Sequence, residues 1–318
     1  MFSVWWDGLF LNALTLLLAV GLDRLFPEPP TKIHPVVWMG RMIAVMERVA
    51  PQRPAPAFLF GCAIVILVVG VSTGIAWLAA VALVSIHPLA YVTGGAIMLR
   101  TTFTVKGLSS AAKCTQQTLG EGRLDAARAS LRSLVSRDPA ALPPQLVAAS
   151  AIESVAENTT DSYVGTWLAF AVFGVPGAVA YRAVSTLDSM LGYRGSYEYL
   201  GKAAARLDDA ANLIPARLSA LLLLLSGALG NLSVRRAWFV MLRDHRHTAS
   251  PNAGWTMSAM AGLLGTRLVK SGHYSLGEGM REPNAEDIGT AIRVAERTAI
   301  LAVVATIGLL TMRHALVS

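Results

Sequence analysis

Residues 54–99 contain no Asp, Glu, Lys or Arg. A run of that length without charge is long enough to cross a bilayer twice, with Ser85-Ile86-His87-Pro88 as the hairpin turn. The whole chain agrees with a membrane setting. Hydrophobic residues make up 54% and charged residues 15% of it, and the mean hydropathy is +0.51. Net charge is +7; in this context it reads as basic loops beside a lipid bilayer and not as a nucleic-acid surface. Cys62 and Cys114 give no disulfide framework or zinc site, and residues 1–6 lack the basic region of a cleaved signal peptide.

The expected fold is therefore all-α and polytopic, with about five to six membrane segments and amphipathic cytoplasmic helices. It reads as one integral membrane domain over residues 1–318, with helical polar loops at 23–54, 100–162, 182–212 and 231–297. Phe10 to Leu22 forms a first span, and Val36 to Val49 a short amphipathic helix near the interface. Residues 100–142 carry two helices broken around Gly120-Glu121-Gly122. The second sets Arg123, Arg128 and Arg132 against Leu124, Leu131 and Leu134 and closes at Asp138-Pro139. Leu213 to Leu232 and Thr298 to Met312 are further spans. Val164 to Tyr181 is long enough to cross, but Gly174-Val-Pro-Gly177 interrupts it, so it is either a kinked span or a re-entrant pair of half-helices. Lys and Arg number five in residues 23–54, seven in 100–162, four in 182–212 and nine in 231–297. The positive-inside rule sets the N-terminus outside and three of these loops in the cytoplasm; a multi-pass cell-membrane protein is expected, and cytosolic substrates would place its site toward the cytoplasm. Full crossing by every span would leave residues 182–212 outside. Their grouping with the acidic residues below requires them to return.

Glu153, Glu157 and Asp161 stand at i, i+4 and i+8, one face of a helix. Such like-charge pairs cost about 0.2–0.5 kcal/mol each in water and more where water is scarce. No Lys or Arg occurs between Arg137 and Arg182 to relieve them. Asp188 and the run Arg206-Leu-Asp208-Asp209-Ala-Ala-Asn212, followed by Arg217, add two further acidic clusters. Hard oxygen ligands of this kind suit Mg²⁺, which binds through one or two carboxylates plus substrate phosphates. Interhelical salt bridges to Arg182, Arg194 and Arg206 are the alternative. Ser250-Pro-Asn252-Ala-Gly254, after Arg243, has the turn residues that cradle anions at a helix start. Gly195 to Ala203 fails as a phosphate loop, because its glycines are spaced one residue too far apart and Ala203 replaces the needed Ser or Thr. His245-x-His247 reads as a polar loop pair, and the sequon at Asn158 falls inside the acidic helix.

The segments ESVAENTTDS, AYRAVSTLDSMLGY, ARLDDAANLIPARL and RDHRHTASPNAGW, with Asp23, Ile33-His34-Pro35-Val36 and Gly40-Arg41 before them, resemble the ordered motifs of the adenosylcobinamide-phosphate synthases. These are integral membrane proteins of cobalamin biosynthesis. Two local departures stand out. The family's Gly-Asp-Pro after the first span is here Phe26-Pro27-Glu28-Pro29, and its Gly-rich, Asn-containing segment is here Lys270-Ser-Gly-His273-Tyr274. The resemblance implies an amide-forming ligase dependent on ATP and Mg²⁺. It would join aminopropanol or its phosphate to a propionate carboxylate of the corrinoid adenosylcobyric acid. Glu153, Glu157, Asp161, Asp188, Asp208 and Asp209 are the catalytic candidates, with Glu153, Glu157 and Asp208 as Mg²⁺ ligands. Substrate contacts are expected from His34, Asn158, Arg182 and Arg206, and from Asn212, Arg217, Arg243 and Asn252. A membrane transporter of a corrinoid or other anion is the alternative, since broken helices and intramembrane charges serve that role too; it lacks inverted repeats in this sequence.

Overall fold

The computed structural model describes residues 8–32, 34–192, 195 and 197–317. In chain order its elements are α1 (Leu9–Leu25), α2 (Pro35–Glu47), α3 (Pro54–Ile86), α4 (Pro88–Arg100), α5 (Lys106–Gly120) and α6 (Leu124–Leu131). Next come α7 (Pro144–Thr159), a π-helical turn (Thr160–Val164), α8 (Gly165–Leu191), α9 (Lys202–Ala211), α10 (Leu213–Leu229), α11 (Val234–Asp244) and α12 (Ala253–Leu264). A short hairpin, β1 (Leu268–Lys270) and β2 (Tyr274–Leu276), precedes α13 (Ala285–Val317). The chain forms two compact units. Unit 1 takes residues 1–104, 165–211 and 303–318; unit 2 takes 105–164 and 212–302.

Three stretches are long and apolar enough to cross a membrane, Pro54–Ile86, Pro144–Leu191 and Ala285–Leu316, and α9 with α10 makes a fourth if they count as one broken span. Among the expected segments, α1 and α10 have 17 residues each, close to the ~20 a helix needs to cross. The turn expected at residues 85–88 falls at His87, but it divides the uncharged run unevenly, into helices of 33 and 13 residues. Chemistry fixes the break. His87 Nδ1 accepts the Leu89 N–H at 3.1 Å, and Pro88 takes the first helical position, where an absent N–H goes unmissed. His34-Pro35 starts α2 in the same way, with His34 Nδ1 accepting from Val36 N at 3.3 Å. The last span begins well before the expected Thr298. Asn284 Oδ1 accepts from the amides of Glu286 and Asp287, and Asp287 accepts from Asn284 N. This reciprocal cap starts the helix at Ala285.

In unit 1, α4 lies along α1, where Tyr91 Oη donates to the buried Asn12 Oδ1 at 3.0 Å. Helix α8 decides the open question about residues 164–181. Gly174 has φ 67 and ψ −162, a region essentially restricted to glycine. On either side of it the chain doubles back. A methyl group built on Gly165 would collide with the Tyr181 hydroxyl, whereas sixteen residues of unbroken helix would separate them by ~24 Å. The segment is two helical arms folded back on each other at Gly174, the hairpin that a re-entrant pair requires. Beyond it, Met190 packs on Gly40 and the Leu200 backbone on Gly61, while Tyr197 Oη donates to Glu47 Oε1 at 2.5 Å. Met190, Tyr197 and Leu200 thus gather at α2 and the start of α3, the end of the unit that holds the 23–54 loop. Arg313, near the C-terminus of α13, donates to Ala171 O at 2.6 Å and Val172 O at 3.4 Å. Pro176 has no N–H for the Val172 carbonyl, so the cation replaces what the break removes.

In unit 2, α5, α6, α12 and β1 all pack on α7, which is buried around most of its circumference. Helix α6 stops at Leu131, short of the expected Asp138-Pro139. Ser133 Oγ bonds the Ser130 carbonyl at 2.8 Å, and the next amides make three-residue turns, a local competition that Ser regularly wins near helix ends. The π turn after α7 takes up an extra residue, so Asp161 leaves the regular i, i+4, i+8 face. The hairpin β1–β2, in register Leu268↔Leu276, is a small exception to the all-α expectation.

The re-entrant geometry predicts that cysteines placed singly at Lys32 and Lys202, both exposed, in a background without Cys62 and Cys114, react with an impermeant maleimide from the same side of sealed vesicles. Labelling from opposite sides would refute the hairpin.

Candidate functional site

The acidic helix meets its partners from far along the chain. Glu153 is 6% exposed. Arg137 Nη2 lies 3.8 Å from its carboxylate and donates to Ser150 Oγ at 2.5 Å. The stripe is therefore relieved after all, by an arginine outside helical reach and by Lys270 and Tyr274 of the β-hairpin, which face Glu153. Even so, Glu153 Oε1 has no hydrogen-bond partner. Tyr274 donates to Met257 Sδ at 3.6 Å. Burial, then the charges of Glu153 and Glu157, push the Tyr274 hydroxyl above its ordinary pKa, so it stays a protonated donor. Glu157 is exposed and Asp161 half-buried. Asn158 ties the helix to itself, donating to Ser154 O at 2.9 Å and accepting from Ser162 Oγ at 3.2 Å.

A second polar group in unit 2 surrounds the start of α12. Arg217 donates to the buried Asn252 Oδ1 at 3.0 Å and stacks 5.0 Å over Trp255. His245 covers Trp255 at 4.0 Å between ring centroids. The expected Arg217 and Asn252 are thus brought together. Arg243 is committed elsewhere. Its Nε and Nη2 grip Asp244 at 2.5 and 2.8 Å, and Asp244 Oδ2 accepts Gly277 N at 2.7 Å. Burial raises the Asp244 pKa, but the Arg243 and Gly277 donors outweigh it and hold the carboxyl below its usual range. Sequence reasoning missed Asp244, which clamps the end of the β-hairpin. Asn212 is buried at the start of α10.

In unit 1, Asp188 and Asp209 are close enough to repel one another. Gly192 folds over Asp188, leaving no room for a Cβ. Asp208 is half-buried and Arg206 exposed; Arg194 lies outside the described residues. A cavity of about 210 Å³ is lined by Asp23, Glu28, Thr31, His34, Arg100, Thr101, Thr104 and Arg182, among others. Arg100 Nη2 donates to Phe26 O at 3.0 Å and Pro27 O at 2.5 Å, which holds the Pro-rich loop over this space. His34 is kept below its ordinary pKa chiefly by burial, with Arg182 and Arg100 acting in the same direction and Glu28 opposing. Asp23 was legible as a motif residue, whereas Glu28 and Arg100 carried no signal of a site. Among the described residues, no three His, Cys, Asp or Glu side chains gather as a metal cage.

A family model described as CobD/Cbib protein matches residues 16–304, a stretch that holds every cluster above. The chain belongs to the CobD/Cbib family. It is 42% identical over 298 residues to the cobalamin biosynthesis protein CobD of Dehalococcoides mccartyi strain CBDB1, covering 93% of this chain and 97% of the relative. The cobalamin biosynthesis protein CobD of Geobacter metallireducens is 41% identical over 85% of each chain. The probable cobalamin biosynthesis protein CobD of Methanocaldococcus jannaschii is 38% identical, covering 85% of this chain and 89% of its own. No solved structure matches. These relatives are named for biosynthesis, and nothing in them supports the transport alternative.

Two outcomes follow. Arg137→Met leaves the buried Glu153 uncompensated and should destabilise the protein by roughly 1–3 kcal/mol; adding Glu153→Gln should restore most of the loss, read from melting in detergent. Additive losses in the double variant would exclude the pair. The lowered His34 pKa means that its stability contribution is complete above the unfolded value of 6.5 and is lost as pH falls through the lower folded value. His34→Gln should accordingly flatten the acid side of a melting-temperature profile between about pH 7.5 and 5.

Proposed function

We propose that this chain joins aminopropanol or its phosphate to a propionate carboxylate of adenosylcobyric acid, forming adenosylcobinamide or its phosphate with Mg²⁺ and ATP. The observation that carries this reading is the family match across residues 16–304, which includes each buried polar cluster. Membership in a cobalamin pathway implies a corrinoid substrate, and the apolar helices imply a bilayer around it.

A carboxylate resists attack by an amine until it has a leaving group, and ATP with Mg²⁺ would supply that activation. The residues present fit such a metal as minority ligands. Asp188 and Asp209 offer two hard carboxylates whose mutual repulsion a cation would relieve, in keeping with the habit of Mg²⁺ of taking one or two protein carboxylates and filling the rest from phosphate and water. Asp208 is the neighbouring reserve ligand. In unit 2, Glu153 has a buried oxygen open to a proton or a cation, and Glu157 and Asp161 extend the negative potential along the same segment. Arg217 with Asn252 forms a donor pair suited to a carboxylate or phosphate oxygen.

Purified protein in nanodiscs, given adenosylcobyric acid, the amine, ATP and Mg²⁺, should yield the amide by mass spectrometry in step with ATP hydrolysis. Asp209→Asn should lower turnover on the order of 10–100-fold. Absence of the amide from the active-concentration wild type would refute the assignment.

A further inference from the structure

Helix α11 of unit 2 has two faces with opposite surroundings. Ala237, Val240 and Met241 are buried on one of them. There α12 comes so close that a Cβ on Gly262 would collide with the Ala237 backbone. Arg236 ties the two helices further, its Nε donating to Gly262 O at 2.7 Å and its Nη2 to Leu263 O at 3.0 Å. The opposite face is exposed. Arg235, Trp238, Phe239 and Leu242 recur there at i, i+3, i+4 and i+7, the spacing of one helical stripe. Phe239 is 63% exposed, and Trp238 and Leu242 are exposed beside it. Arg246, exposed just past the end of the helix, adds a second cation.

An aromatic and aliphatic stripe bordered by cations marks an interaction surface, and two observations say what covers it. The first is position. Leu221, Leu225 and Leu229 are exposed along one side of the apolar helix α10, the side that hydrocarbon would cover. The turn from α10 into α11 is tight: Asn231 takes a φ of 55, and Leu232 N donates to Gly227 O at 2.9 Å. Helix α11 therefore starts where that leucine stripe ends, at the depth where acyl chains give way to headgroups. The second is charge. Asp244 is the one acidic residue between residues 213 and 277, and it is buried. Arg236 is spent on carbonyls and Arg243 on Asp244, whereas Arg235 and Arg246 make no ion pair among the described residues. Arginine forks match phosphate oxygens, and tryptophan favours the membrane–water boundary.

We propose that α11 is an interfacial anchor for anionic phospholipid, with Trp238, Phe239 and Leu242 entering the boundary between headgroups and acyl chains and Arg235 and Arg246 holding lipid phosphates. The helix lies along the membrane surface, its inner face on α12 and its outer face in lipid. Each cation near an anionic leaflet adds to the attraction, so the outer face prefers a negatively charged bilayer to a zwitterionic one.

The test uses the whole protein carrying Phe239→Cys in a background without Cys62 and Cys114, labelled there with an environment-sensitive fluorophore. It is placed in nanodiscs of phosphatidylcholine, alone or with about a third phosphatidylglycerol, doped with lipids bearing a nitroxide near the headgroup or at the bilayer centre. The headgroup-proximal nitroxide should quench more than the central one, and phosphatidylglycerol should raise that quenching at least about twofold. Arg235→Gln combined with Arg246→Gln should remove the increment due to phosphatidylglycerol while the melting temperature stays put, since neither side chain is packed in the core. Trp238→Ser is a second variant should the double one fail to fold, and is expected to lower quenching in both lipids. Quenching absent in both lipids, or equal in the two, would overturn the anchor. So would a disulfide between two copies of the unlabelled Phe239→Cys variant on mild oxidation, because a second chain would then cover the face in place of lipid.

Discussion

Two carbonyls in the middle of an apolar helix set the architecture of unit 1. Gly174 turns the chain through a conformation only glycine adopts readily, and Pro176 withholds the amide that Val172 O would have received. Backbone polar groups left without partners away from water cost several kcal/mol. Arg313 brings a guanidinium to Ala171 O and Val172 O, and in doing so makes the reversal tolerable. Everything distal to the turn depends on that reversal. Arg182 reaches the same cavity as Asp23 and Arg100, and Tyr197 reaches Glu47, because α8 turns back at Gly174.

The parts of this fold written into local sequence were the parts that local chemistry controls. An uncharged run forces apolar helices, His87-Pro88 marks the turn within it, and Gly174-Val-Pro-Gly177 marks a break. The sequence stopped short of saying which way the chain leaves that break. That choice is made by Tyr181 against Gly165 and by a cation contributed from residue 313, and no periodicity connects such distant positions. The π turn was equally invisible, since Glu153, Glu157 and Asp161 fit an α-helical face on paper.

The candidate site divides along the same line. Its acids could be chosen from sequence because charge in an apolar setting is conspicuous. Their surroundings could not. Arg137 lies beyond helical spacing from Glu153, and Tyr274 arrives on a hairpin that alternation too short to count did not reveal. Arg243 shows the converse error: a basic residue beside an anion-cradling turn is spent holding Asp244, which in turn anchors Gly277. Proximity in sequence to a plausible loop says little about what a guanidinium touches.

Glu153 is the position where stability and placement disagree most. Its neighbours along α7, Ala149, Ile152 and Ala156, are fully enclosed and apolar, so packing alone would be served by a leucine or an alanine. Arg137 compensates one side of the carboxylate at 3.8 Å and also bonds Ser150, while Oε1 stays without a donor. An unsatisfied buried acceptor costs about 1–3 kcal/mol, and more when charged. Nothing in the helix needs that cost, because α7 is already held by four other elements. The fold encloses this carboxylate and brings Arg137, Lys270 and Tyr274 to it from outside the helix.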